Sequence, residues 1–318
     1  MSPVQFQAPP APAHPARPAS VDRRLTRPPI LAREAARRPD AGMMAAALAQ
    51  RGVRLEPALI QQIAQSPERL NGLHSLDLAG RSTTFEHILR IAAAGKLKDG
   101  TPAGPLAAAL FGLAGTSRRV NGGKCYSRAN HTLFAKYYPA EFARLVGDLA
   151  VDGQTRLANG ELAKWDPTRW QRPPNLPVDE FLWYGLNTFA KNQALPQNGL
   201  IYGMADNVYD GEMANLQSRL FGIPYVNVGG AASIQHLDAI IRAHQPLLTE
   251  YGNAVPGRGN TAGALARVVD NKTYSMNEGG DFHDNNTIGY VAVPAKEAAA
   301  RKLAVLQYPT SAHGYLRR

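Results

Sequence analysis

The chain has 318 residues, 44% of them hydrophobic, enough to bury one large core or two smaller ones. Its single cysteine, Cys125, excludes an internal disulfide and any zinc site built from several cysteines. The net charge of +10 includes no dense basic run beyond residue 40, which argues against a nucleic-acid partner. No apolar run reaches membrane-spanning length or forms the core of a cleavable signal peptide.

Residues 1–40 hold nine of the 24 prolines and seven arginines against Asp22, Glu34 and Asp40. Such a segment buries too little apolar surface to offset its ordering entropy and is expected to be disordered. It reads either as a solvated tail or as an export leader. In the second case it is similar to the polar, disordered leaders of type III effectors of proteobacteria.

Residues 41–118 read as helical. MMAAALAQRGV, PALIQQIAQS, TTFEHILRIAAAGKL and PLAAALFGLAG are apolar-periodic pieces separated by Gly, Pro and polar turns. Ser82-Thr83-Thr84 ahead of Phe85-Glu86 predicts a capped helix start with an acid in its first turn. His74 and His87 lack metal-ligand spacing and are expected to be packed or exposed rather than ligating.

The stretch Asn121–Tyr138 contains Cys125 behind Gly122-Gly123. Ala129, Leu133, Phe134 and Tyr137 follow at helical spacing. This predicts a glycine turn delivering Cys125 to the first turn of a helix. There free N–H groups, the helix dipole, Lys124 and Arg128 would all favour a thiolate. The competing reading is a buried, inert cysteine. His131 lies six residues on, about 600° around the helix, and makes a poor base for Cys125.

Further along, PAEFARLVGDLA (139–150) predicts a short helix. Asp152-Gly153 and Asn159-Gly160 bracket a β-like piece, and a Trp/Pro loop follows. Helices are expected over Val178–Lys191, Asp210–Phe221 and Ile234–His244, with His236 and His244 structural. Strands are expected at Leu200–Met204, Ile223–Val228, Pro246–Tyr251, Ala264–Val269, Thr273–Met276 and Thr287–Val293. Helices first and a mostly antiparallel sheet afterwards give an α+β class. Three parts follow: a leader over 1–40, a helical part over 41–118, and a catalytic or binding part over 119–318. No internal repeat is evident in the sequence. Dinucleotide, P-loop, metalloprotease and EF-hand signatures are absent, so neither cofactor nor metal is expected. The acidic trio Asp206, Asp210 and Glu212 could hold a metal or divide acid and base work, but it fits a solvated loop better.

A cysteine at a helix start followed by a strand-rich half resembles the papain-like thiol hydrolases, nearest to their toxin and effector branches. The resembling pieces are the cysteine helix, IQHLDAIIRAHQPLLTEY and ALARVVDNKTYSMNEGG, within about 110–295. The resemblance implies a papain-like fold and a thiolate that attacks a protein amide, with Cys125 as nucleophile and Asn277 as the residue orienting a histidine. Gly263 and Ala264 stand where the family's histidine would open its strand. His283, in GGDFHDNNT, is the substitute base, with Asp284 as a second candidate orienter. Arg118 and Arg119 stand near the position of the family's oxyanion glutamine. The implied role is a secreted effector in the host-cell cytoplasm, with a host protein target and a secretion chaperone as partners. If no histidine reaches Cys125, the same fold is a pseudoenzyme that binds a host protein.

Overall fold

A computed structural model describes residues 38–116, 125–191, 199–201, 212–229, 247–252, 261–269, 272–276, 282–284, 288–303 and 305. The leader up to residue 37, Gly122-Gly123-Lys124, the helix expected at 234–244, and Asn277 lie outside the described residues.

Helices come first. α1 (Ala41–Ala49) is capped by Asp40, whose carboxylate accepts from the N–H of Met43. α2 (Pro57–Ala64) and α3 (Pro67–His74) both open on proline, which suits a first turn whose N–H groups lack partners. α4 (Thr84–Ala93) carries a full capping box: Thr83 accepts from the N–H of Glu86, and Glu86 accepts from the N–H of Thr83. α5 (Gly104–Leu113) is almost wholly apolar. The inward residues of these helices, among them Met44, Leu48, Ile63, Ile88, Ile91 and Phe111, are buried in one continuous core.

A repeat invisible in the side chains is plain in the backbone. The N-caps Thr83 and Ala103, the turn glycines Gly80 and Gly100, and the terminal glycines Gly95 and Gly115 are each twenty positions apart. In both units the turn glycine donates to the carbonyl three residues back, Gly80 to Asp77 and Gly100 to Leu97. All four glycines have φ between +69° and +82°, a region that other residues enter only with strain.

α6 (Cys125–Tyr137) and α7 (Pro139–Asp152) follow, then the hairpin β1 (Gln154–Arg156) and β2 (Leu162–Lys164), then α8 (Val178–Lys191) and α9 (Glu212–Phe221). Gly160 closes the hairpin by donating to the carbonyl of Leu157, as the turn glycines do in the helical units. Leu200 makes a parallel bridge to Lys164; residues 202–204 of the strand expected at 200–204 lie outside the described residues.

The larger sheet has β3 (Tyr225–Gly229), β4 (Leu247–Gly252), β5 (Thr261–Val269), β6 (Lys272–Met276), β7 (Phe282–Asp284) and β8 (Ile288–Pro294). Their spatial order is β3-β8-β4-β5-β6-β7, and every neighbouring pair is antiparallel. β7, where the sequence indicates no strand, is at the end of the described sheet. A short helix, α10 (Ala295–Ala300), follows β8. The protein is therefore α+β, with helices first and an antiparallel sheet last. Among the described residues no helix is long and apolar enough to cross a membrane.

Candidate functional site around the cysteine helix

Cys125 is the first residue of α6, the helix start expected from the sequence. α6 packs against β5, with lesser contact to β4, and on its other sides against α7 and α8. The cysteine helix thus lies on interior strands of the sheet rather than at an edge.

The sheet register fixes where the other candidates stand. Gly263 of β5 is opposite Glu250, and Ala264 is opposite Thr249. His283 of β7 is opposite Ser275 of β6, and Ser275 is opposite Ala266 of β5. At about 4.8 Å per strand, position 283 is about 10 Å from position 266 across the sheet. Asp284 is opposite Tyr274. Successive positions of a strand belong to opposite faces, so 283 and 284 fall on different faces. The register brings His283 into the same sheet as β5.

The buried face of α6 changes character along its length. Near Cys125 it is polar, with Ser127, Asn130 and His131 all buried; farther on it is apolar, with Leu133, Phe134 and Ala135. Asn130 donates through Nδ2 to Oδ1 of Asn187 on α8. Gln217 of α9 donates through Nε2 to Oδ1 of Asn130 at 3.1 Å. Asn187 donates in turn to the carbonyl of Trp183 at 2.8 Å. Three buried amides therefore connect three helices.

His131 Nε2 lies 3.8 Å from Asp179 Oδ2, beyond hydrogen-bond distance, with its ring edge-on to Phe142 at 4.8 Å. Asp179 and Glu180 are buried in the first turn of α8, where the helix dipole favours carboxylates. Lys191, at the other end of α8, pairs with Glu212 at 3.3 Å. That contact occupies one member of the acidic trio; Asp206 and Asp210 lie outside the described residues. Arg219 of α9 donates to the carbonyl of Ala190 at 3.0 Å and pairs with Glu161 at 3.1 Å. Burial pulls its guanidinium below the ordinary arginine range, and Glu161 opposes that shift.

Below the polar stretch, Phe134, Trp183, Phe221, Tyr138 and Tyr225 form an aromatic cluster with ring centroids 5.0–5.8 Å apart. Burial pushes the Tyr138 hydroxyl up to about 12. It pushes Tyr225 further, with Tyr138 adding to the shift. Both phenols stay neutral at any physiological pH.

Two features of this region could have been found in the sequence and were not. Asn187 interrupts the apolar run FLWYGLNTFA, and Asn130 precedes an aromatic stripe. A polar residue at an inward helical position signals a buried hydrogen-bond network. Among the described residues no group of three or more His, Cys, Asp or Glu could hold a metal ion. No family model, curated protein or solved structure matches the chain.

Proposed function

We propose that the chain is a papain-like thiol hydrolase or transferase, exported as a bacterial effector and acting on a protein amide in the cytoplasm of a host cell. One observation carries this reading: the helix opened by the only cysteine is laid against interior strands of an antiparallel sheet. In the proposed reaction the Cys125 thiolate attacks the amide carbon and a histidine holds the thiol proton. That proton passes to the departing amine, and a thioester to Cys125 remains. Water, an amine or an alcohol then attacks the thioester, and this choice distinguishes peptidase or deamidase from transferase. His283 is the candidate base. Asn277 and Asp284 are the candidates for its orienter.

A second reading has its own observation. Position 263, at the head of β5, is a glycine opposite Glu250, where the family's histidine would stand. On that reading the fold binds a host protein and performs no chemistry.

The rate of Cys125 alkylation against pH separates the two. The enzyme reading expects a thiol midpoint well below the ordinary value of about 8.5, returning toward it in His283→Ala. An ordinary midpoint in the wild type leaves the binding protein. Expression of wild type, Cys125→Ser and His283→Ala in a target cell gives the functional counterpart. If both folded variants keep the full phenotype, thiol catalysis is wrong.

A further inference from the structure

Asn130 is fully buried and uses both ends of its amide. Its Nδ2 donates to Asn187 on α8, and its Oδ1 accepts from Gln217 on α9 at 3.1 Å. Asn187 is itself fixed by its donation to the Trp183 carbonyl. Other buried side chains of the three helices that these amides join, Phe134 of α6, Phe189 of α8 and Leu216 of α9, are apolar. A buried amide chain adds little net stability over an apolar filling, but it tolerates only one alignment of the elements it joins. Sliding α6 by one residue moves it about 1.5 Å along its axis and turns it about 100°, which breaks both bonds to Asn130.

We infer that Asn130 is a positioning residue: with Asn187 and Gln217 it locks the axial position and rotation of α6, and so sets where Cys125 stands over the sheet. This rests on the thiol reading of Cys125. Cys125 is five residues before Asn130 on the same helix, so the rigid rise between them is about 7.5 Å. Imidazole-to-sulfur proton transfer needs an approach of about 3–4 Å, so a slip of one residue is enough to lose it. The apolar half of α6 lacks this directionality: Leu133 and Phe134 can repack after a small rotation, whereas an amide pair cannot.

The test uses the full chain as wild type, Asn130→Leu, Gln217→Leu, and the triple variant Asn130→Leu/Asn187→Leu/Gln217→Leu. Iodoacetamide alkylation of Cys125 is followed from pH 5 to 9, and each protein is melted. Asn130→Leu strands its two partners and should melt lower. The triple variant removes all three amides and should recover most of that loss. If the network positions the thiol, both should alkylate at least about fivefold more slowly near pH 6.5, with the midpoint moved toward an ordinary thiol. Gln217→Leu should show the same change to a smaller degree. A folded triple variant with the wild-type pH profile overturns the inference while leaving the thiol reading intact. Should the triple variant fail to fold, an unchanged profile in folded Gln217→Leu overturns it equally. A wild-type thiol that titrates like free cysteine sinks the thiol reading itself, and the inference with it.

Discussion

The helices before residue 116 and the block formed by α6 to α9 bury their faces differently. In α1 to α5 the buried side chains are almost all apolar. The buried polar groups there, Asp77, Thr84 and His87, gather at the turn into α4. In α6 to α9 the interior holds Ser127, Asn130, His131, Glu141, Asp179, Glu180, Asn187, Lys191, Gln217 and Arg219. Burying such groups costs stability unless each finds a partner, so an apolar core is the easier solution. The contrast shows one part of the chain built for cohesion and another whose geometry is specified by directional contacts.

Core truncation is the strongest way to break that comparison. Phe111→Ala and Trp183→Ala should each cost about 3–5 kcal/mol, read from denaturant unfolding. Phe111→Ala should leave Cys125 alkylation unchanged, because α5 does not carry the amide chain. Trp183→Ala should slow it, because the Trp183 ring packs 5.0 Å from that of Phe134 on α6 and its loss leaves a cavity beside the cysteine helix. Identical thiol behaviour in the two variants would erase the distinction between the regions.

A second test addresses the one polar cluster of the helical part. Burial pushes the Asp77 carboxyl up, but His87 and the N–H groups of Arg81 and Ser82 outweigh this and hold it at about 2. Its folded value is therefore below the ordinary carboxylate value of about 3.9. The resulting stabilisation is complete above about pH 4 and disappears as the pH falls through about 2. Asp77→Asn should cost about 1–3 kcal/mol at pH 7. Melting curves at pH 7, 4 and 2.5 should show less acid sensitivity in the variant than in the wild type. Equal slopes would mean that another carboxylate governs the acid limb.

Smaller effects sharpen the picture. Thr83→Ala removes the cap of α4 and should cost about 1 kcal/mol. Glu297→Gln weakens a half-buried pair with Arg301 at 3.5 Å and should change the unfolding free energy by about 0.5 kcal/mol or less.

Most of the helices were legible because their signals are local. The cap at Thr83, the prolines at 57 and 139, the turns at Gly153 and Gly160, and the full span of α8 all follow from neighbouring residues. α3 was missed because PERLNGLH has few apolar residues; its start is set by Ser66, which accepts from the N–H of Arg69. The repeat was missed because its matching positions carry unlike side chains, Thr83 against Ala103 and Phe85 against Pro105. Only the glycines, the C-cap alanines Ala94 and Ala114 and the spacing are shared. Of the candidate site, the helix start at Cys125 was readable from the glycine turn. The strand identity of residues 282–284 was not, since three residues at a sheet edge are defined by their partner β6 and not by their own sequence. The amide chain was unreadable as a network because its members are up to 87 positions apart.

Among the described strands β8 is the last to leave the ribosome, yet it stands between β3 and β4. About sixty residues separate the end of β3 from its start. At roughly 5–20 residues per second, that interval lasts about 3–12 s. Until it ends, β3 has no partner in this sheet and β4 presents an open row of backbone donors and acceptors. A premature stop before residue 288 would therefore remove the seam of the sheet rather than trim its margin. A frameshift just ahead of residue 288 should be as damaging as one near the cysteine.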